Sequence, residues 1–166
     1  MSLARSADAF LDRIGPTGAL LGLDPGTKTI GIAVCDERRT LASPLETIER
    51  DGLRHDLARL AGVIAQRQVV GIVLGMPVNM DGTAGRRAQS VRAFSRSIED
   101  AFGLPVLQWD ERLSTVAAEE AMLDAEVSRA GRAKKSGRID AAAAASILQG
   151  ALGVFTGLIA QGKAQA

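Results

Sequence analysis

Apolar runs and helical stripes alternate along the chain, and together they predict an α/β domain. The run ALLGLD ends at Pro25-Gly26, and the next run, TIGIAVCD, is rich in β-branched residues. Two such runs on either side of a short turn are typical of an antiparallel hairpin. A third strand is expected within residues 39–48, where Pro44 favours a sheet edge because proline cannot donate a ladder hydrogen bond.

After this hairpin region, helical and strand patterns take turns. Two further strands and four helices are expected, over residues 53–64, 69–74, 91–102, 104–109, 114–127 and from about 139 onward. Strands that are separated by helices usually run parallel. The chain is therefore predicted to be α/β, with a five-stranded mixed sheet of antiparallel opening strands and parallel later strands, flanked by helices.

The length of 166 residues fits a single domain. Residues 1–17 are mixed in polarity and run into the segment Gly-Pro-Thr-Gly at residues 15–18, so they are expected to form a flexible N-terminal extension. The domain proper is expected over residues 18–152. Residues 153–166 are expected to be the end of the last helix and a tail.

Composition narrows the function classes. Lys plus Arg is 20 and Asp plus Glu is 19, so attraction to phosphates has to come from local clusters of charge. The single Cys35 excludes an intrachain disulfide and multi-cysteine metal sites, and the single His55 argues against Ser-His-Asp chemistry. No apolar run reaches the ~20 residues of a membrane span, and Asp8 and Asp12 interrupt the place of a signal-peptide core. A cytoplasmic protein without a membrane partner is expected.

Acidic residues occur where the predicted elements begin or end. Asp24 closes the first strand, Asp110 and Glu111 close the last strand, and Asp140 opens the final helix. If these ends converge, carboxylates without His or Cys partners would select Mg²⁺ or Mn²⁺. A structural interpretation fits the same residues: Asp24 would fix its turn, Glu111 would pair with Arg112, and Asp140 would complement a helix end. Residue chemistry alone leaves both interpretations open.

Basic residues form three groups that fit either phosphate contacts or solvated surfaces. Lys28 follows the turn after Asp24. A second group lies in a glycine-containing loop and comprises Arg129, Arg132, Lys134, Lys135 and Arg138. A third group forms a strip on the second predicted helix and comprises Arg86, Arg87, Arg92 and Arg96.

Four motifs in this order make the chain recognisable. They cover most of the chain from about Leu20 to about Leu152, and they read LGLDPGTKTIGIAV, GIVLGMPVNMDG, LQWDERLST and KKSGRIDAAAAASIL. The set resembles the YqgF family, also called RuvX, of pre-16S rRNA nucleases and Holliday-junction-resolvase-like proteins. The resemblance implies an RNase H-like fold and a metal-dependent endonuclease that acts on structured RNA or branched DNA.

The resemblance also implies a site. It places catalytic and metal-binding roles on Asp24, Glu111 and Asp140, with Mg²⁺ or Mn²⁺ as the cofactor. Glu111 is preferred to Asp110, the second choice, because successive strand residues face opposite sides of a sheet. Substrate contacts are expected from the basic residues Lys28, Arg112, Lys134, Lys135 and Arg138.

The function implied is 5′-end processing of pre-16S rRNA in ribosome biogenesis, with ribosomal particles as further partners. A DNA resolvase and a non-catalytic nucleic-acid-binding or ribosome-assembly module are the alternatives. An ATP-using protein of the actin or sugar-kinase type also has an Asp-x-Gly-Thr hairpin, but it needs two such lobes and this chain has the length for one. Monomer and homodimer both stay open.

Overall fold

The computed structural model describes residues 3–77, 85–111 and 135–162, and within them the side chains of all residues except 3–5 and 135–139. These ranges contain five strands and four helices. In chain order they are α1 (Leu3–Ile14), β1 (Ala19–Pro25), β2 (Thr29–Cys35), β3 (Ala42–Glu49), α2 (Leu53–Arg67), β4 (Val69–Met76), α3 (Arg86–Phe102), β5 (Val106–Asp110) and α4 (Lys135–Ala160). The helix predicted over residues 114–127 lies outside the described residues.

The strands form one mixed sheet in the order β3-β2-β1-β4-β5. The opening strands β1, β2 and β3 pair antiparallel, whereas β1, β4 and β5 run parallel to one another, as the sequence predicts. β3 is an edge strand, and Pro44 lies where its register shifts against Ile32 and Ala33 of β2. The mixed topology brings the carboxyl ends of β1, β4 and β5 to one edge of the sheet.

Helices cover both faces of this sheet. The buried residues of α2 and α3 pack against one face, together with Leu21 and Leu23 of β1. The buried residues of α1 and α4 pack against the other face, together with Leu20. Side chains of a strand alternate between faces, so Gly22 and Asp24 share the α4 side with Leu20.

Small residues allow α4 to lie very close to the sheet. A Cβ atom at Gly22 would be 2.8 Å from the Cβ atom of Leu148, and one at Gly31 would overlap the carbonyl oxygen of Asp140. The helix presents alanines to this surface, and four of them, Ala141, Ala142, Ala144 and Ala145, are buried. Because interiors are densely packed, a side chain at either glycine would push the start of α4 away from the sheet.

The N-terminal segment differs from the expected flexible extension. Residues 3–14 form α1, whose buried side chains recur at helical spacing: Ala7, Phe10, Leu11 and Ile14. The Phe10 ring stacks on Phe155 of α4 at a centroid distance of 5.8 Å. This i, i+3, i+4, i+7 stripe is legible in the sequence and marks a helix with one core-facing side. The core also extends beyond residue 152, since Phe155 and Leu158 are buried.

Among the described residues, one helical stretch, Asp140–Ala160, is long and apolar enough to cross a membrane by length and composition alone. Most of the alanines and leucines in this stretch are buried in the core cluster on this side of the sheet. The apolar character of this stretch is therefore explained by the packing of α4 in the core.

Candidate active site

Two acidic side chains meet at the edge where the parallel strands end. Asp24 is the second-last residue of β1, and Glu111 directly follows β5. β4 lies between these strands and runs parallel to both. The Asp24 and Glu111 carboxyl groups nevertheless form a side-chain hydrogen bond across β4.

Strand alternation decides which acid of the Asp110-Glu111 pair reaches Asp24. Leu107 and Trp109 are buried on the α4 side of the sheet. Glu111 continues this alternation and lies on the same face, whereas Asp110 lies on the opposite face, which α3 covers. The structure thus brings Glu111 and not Asp110 to Asp24, in the arrangement for which the sequence preferred Glu111.

Gly75 of β4 leaves the space through which Glu111 extends. A Cβ atom at Gly75 would lie 3.3 Å from Oε1 of Glu111 and 3.3 Å from the carbonyl oxygen of Leu23. It would also lie 2.6 Å from Cδ1 of Ile147. Any side chain at this position would therefore crowd both the carboxylate and the contact between β4 and α4.

Asp140 arrives at the same place from α4, of which it is the sixth residue. Its backbone packs directly on Gly31, which is the register partner of Asp24 in β2. Thr29 Oγ1 donates a hydrogen bond of 2.8 Å to Oδ2 of Asp140 and so orients the carboxylate. Three acids that are far apart along the chain are consequently neighbours in the fold.

The electrostatics of this acidic cluster, Asp24, Glu111 and Asp140, favour an added positive charge. Burial and the neighbouring Glu111, through its charge and its hydrogen bond, raise the pKa of Asp24 to about 7, and the charge of Asp140 adds to the effect. The guanidinium of Arg87 opposes this rise in pKa. The raised pKa of Asp24 means that the cluster disfavours a further negative charge, so an added cation would be stabilised there.

The donor set fits a hard divalent cation. In the ranges that the structure describes, no three His, Cys, Asp or Glu side chains form a ready-made metal cage. Instead, the carboxyl groups of Asp24 and Glu111 are joined by a hydrogen bond, and the carboxylate of Asp140 accepts a hydrogen bond from Thr29. Carboxylate oxygens without His or Cys are the ligands of Mg²⁺ and Mn²⁺, and a cation would relieve the repulsion that the raised pKa of Asp24 reports.

The predicted substrate-contact residues are only partly covered by the structure. Lys28 lies in the exposed turn between β1 and β2, and its carbonyl oxygen accepts a hydrogen bond of 2.8 Å from the backbone N–H of Arg50. Arg112 and Lys134 lie outside the described residues. Lys135 and Arg138 belong to the first turn of α4, but their side chains are outside the described part.

Sequence reasoning missed three contributors to the site. Arg87 was one of four arginines in a strip and nothing singled it out, yet its Nη2 bonds the carbonyl oxygen of Pro25 at 3.2 Å beside Asp24. Thr29 was visible only as a strand residue. Gly75 lies in the apolar run of β4, where a glycine within a strand was the available signal of a close approach.

Comparison with known proteins identifies the family of this chain. Residues 18–153, most of the chain, match the family model RuvX, described as Holliday junction resolvase. The chain belongs to the RuvX family. Curated RuvX relatives bear the name "Putative pre-16S rRNA nuclease". One from Rhodobacter capsulatus is 56% identical over 145 residues, covering 87% of this chain and 89% of the relative. One from Cereibacter sphaeroides is 54% identical over 147 residues, covering 89% and 90%. The family resemblance seen in the motifs is thereby confirmed.

Solved structures confirm the RNase H-like fold expected for this RuvX chain. T. thermophilus RuvC in complex with a Holliday junction substrate aligns with a TM-score of 0.57 at 18% identity, covering 88% of this chain and 97% of RuvC. The yeast mitochondrial Holliday junction resolvase Ydc2 aligns with a TM-score of 0.56 at 13% identity, covering 95% and 94%. At these identities the likeness establishes the fold.

Proposed function

We propose that this RuvX protein is a hydrolase that cleaves phosphodiester bonds within structured nucleic acid, and that its substrate is pre-16S rRNA in the cytoplasm. The observation that carries the proposal is the convergence of Asp24, Glu111 and Asp140 at one sheet edge. Family membership and the name of the curated relatives support the same reaction and substrate.

In this proposal the acidic cluster is the catalytic centre and holds one or two Mg²⁺ or Mn²⁺ ions. When bound, the metal supplies Lewis acidity and favours an attacking hydroxide at neutral pH. Asp24, Glu111 and Asp140 would be the residues that hold the ion. Thr29 keeps the carboxylate of Asp140 turned to the site through its hydrogen bond. The three acids form no covalent bond with the substrate.

The basic residues would hold the nucleic-acid backbone against this centre. Lys28 lies four residues after Asp24, across the turn, and its exposed ammonium suits an outer phosphate contact. Arg112 directly follows Glu111 in the chain, and Lys134, Lys135 and Arg138 precede Asp140. These positions flank two of the three acids in sequence, so the same elements that carry the acids would carry the phosphate contacts.

A cleavage assay tests the proposal. Purified full-length protein is incubated with a transcript that contains the 5′ precursor region of 16S rRNA, with Mg²⁺, with Mn²⁺ and with a chelator. We expect cleavage only with a divalent ion, and a loss of at least about 10³-fold in rate for Asp24→Asn. Asp110→Asn is the matched control and retains cleavage. Binding without cleavage under all conditions would instead indicate a non-catalytic module.

Branched DNA is a second candidate substrate, because the matching family model is described as a Holliday junction resolvase. The same assay with a four-way DNA junction in place of the transcript separates the two. Preference for the transcript, measured as kcat/KM at equal salt, supports the RNA assignment, and a preference for the junction would replace it.

A further inference from the structure

A cavity lies beside the acidic cluster, on the α3 side of the turn that follows Asp24. It encloses about 290 Å³, close to the lower end of small-ligand sites, about 300 Å³. Its wall combines turn residues, Arg50 and the first turns of α3, comprising Pro25, Gly26, Thr27, Arg50, Arg87, Ser90, Val91 and Phe94. Among the residues that the structure describes, no carboxylate lines this wall, and its charged groups are two guanidiniums.

Arg50 is held in place from three sides. Its Nε bonds Oδ2 of Asp56 at 3.1 Å, and its Nη1 bonds the carbonyl oxygen of Gly26 at 2.8 Å. Its guanidinium carbon lies 5.0 Å from the centroid of the Phe94 ring. Asp56 is only 1% exposed and also accepts the backbone N–H of Asp51. An arginine fixed in this way loses little further conformational freedom when it binds a ligand.

Arg87 connects the cavity to the acids. Its Nη2 bonds the carbonyl oxygen of Pro25 at 3.2 Å, and its charge acts on Asp24. The two arginines thus bond successive carbonyl oxygens of one turn, Pro25 and Gly26, from within the cavity wall. A group bound between them would lie next to the acidic cluster and outside it.

The wall has two chemical parts. The guanidiniums of Arg50 and Arg87 and the hydroxyls of Thr27 and Ser90 suit the oxygens of a phosphate. Val91 and Phe94 add an apolar surface, and the cavity is larger than a bare phosphate requires. The carboxylate of Asp56 offsets the charge of Arg50, and Asp24 interacts with the charge of Arg87.

We propose that this cavity is a nucleotide subsite: it takes the phosphate of one nucleotide of the substrate strand between Arg50 and Arg87, and the attached sugar and base against Val91 and Phe94. The inference rests on the proposed function for its place in the reaction. It makes Arg50 and Arg87 substrate-binding residues that hold the strand next to the scissile phosphate.

The test uses the full chain without divalent metal, so it does not depend on cleavage. Adenosine 5′-monophosphate, adenosine and inorganic phosphate are titrated separately while backbone amide NMR shifts are followed. We expect the monophosphate to shift the amides of Gly26, Thr27 and Ser90 and to bind more tightly than either fragment. Saturation elsewhere on the protein, or equal affinity for inorganic phosphate, would overturn the nucleotide subsite.

Three variants assign the affinity to residues. Arg87→Gln removes one cation, and Arg50→Lys keeps a cation beside buried Asp56 so that the fold is retained. Each should raise the dissociation constant of the monophosphate about tenfold. Arg86→Gln is the matched control, since it removes an exposed charge from the same helical turn outside the cavity wall. Equal loss in Arg86→Gln would show that general charge attraction is responsible and would overturn the subsite.

A cleavage measurement then places the subsite on the strand. For Arg50→Lys we expect KM to rise several-fold with kcat within about twofold of the wild type, because a contact away from the reacting atoms contributes equally to ground and transition states. An unchanged KM, with the monophosphate affinity lowered, would overturn the assignment to the substrate strand. If no nucleic acid is cleaved at all, the proposed function fails while the NMR result still decides the cavity.

Discussion

Asp24 carries a conflict between stability and chemistry at the scale of single residues. Its pKa is raised from 3.8 to about 7, so the folded chain holds this proton more tightly than the unfolded chain does. By linkage, the contribution of Asp24 to stability is complete below pH 4 and is lost as pH rises through about 7. A site that attracts a cation is thus a site that weakens the metal-free fold at neutral and alkaline pH.

Replacing this acid should stabilise the metal-free protein. For Asp24→Asn we expect the free energy of unfolding at pH 8 to rise by about 1–3 kcal/mol, and to change little at pH 4. Urea unfolding followed by the fluorescence of Trp109, the single tryptophan, measures both values. A variant that is less stable than the wild type at pH 8 would contradict the repulsion described for the acidic cluster.

The three acids were singled out in the sequence by the family resemblance. Asp24 and Glu111 do lie where β1 and β5 end, whereas Asp140, which was expected to open the last helix, is the sixth residue of α4. Strand alternation also predicted Glu111 in preference to Asp110. What surrounds them was not predictable in the same way. Thr29 and Gly75 act through their positions on neighbouring strands, and those positions depend on the register and order of the sheet.

At the scale of elements, the approach of α4 to the sheet sets the distance between Asp140 and Asp24. The sequence predicted an alanine-rich helix from about residue 139. It did not indicate that Gly22 and Gly31 are the strand residues on which this helix packs. Strand glycines mark close approaches only once the partner element is known. The helix therefore followed from the sequence, and its depth against the sheet did not.

A methyl group added at one of these glycines should displace α4 from the sheet. In Gly31→Ala the new Cβ meets the backbone of Asp140, so we expect a loss of about 1–3 kcal/mol in the free energy of unfolding and weaker metal binding. Gly153→Ala is the control in α4 itself, because that position has open space and should gain up to about 1 kcal/mol. Equal behaviour of the two variants in thermal unfolding would refute the close packing of α4.

The N-terminal helix is an integral part of the core rather than an appendage. Arg39 ties its end to the rest of the fold, since its guanidinium bonds the carbonyl oxygens of Gly15 and Gly18 at 2.7 and 2.9 Å. The apolar stripe of α1 was present in the sequence, but the glycine- and proline-containing segment after it favoured an extension. The packing of α1 on α4 outweighs that local signal.

Truncation of one α1 side chain measures this contribution. Phe10 is 4% exposed and stacks on Phe155, so Phe10→Ala should lower the free energy of unfolding by about 3–5 kcal/mol. Asp12→Ala changes an exposed position of the same helix and should stay within about 0.5 kcal/mol of the wild type. If both variants unfold with the wild type, α1 adds nothing to the core.

At the scale of the whole molecule, the strand order of the sheet brings the elements of the proposed site together at one edge. The carboxyl ends of β1, β4 and β5, the start of α4 and the first turn of α3 all lie there, as is general for parallel strands in α/β sheets. With a formal net charge of +1, the chain has little overall positive charge to offer a polyanion, so the proposed phosphate contacts depend on local basic residues. The fold class and family were legible in the sequence, whereas the arginine-lined cavity required the structure.

Metal affinity tests the central claim most directly. Calorimetric titration with Mn²⁺ compares the wild type with Asp24→Asn, Glu111→Gln, Asp140→Asn and Asp110→Asn. The account predicts that each of the first three variants raises the Mn²⁺ dissociation constant at least about tenfold, because each removes a ligand charge, and that Asp110→Asn matches the wild type. Wild-type affinity in the first three variants, or a loss confined to Asp110→Asn, would contradict it.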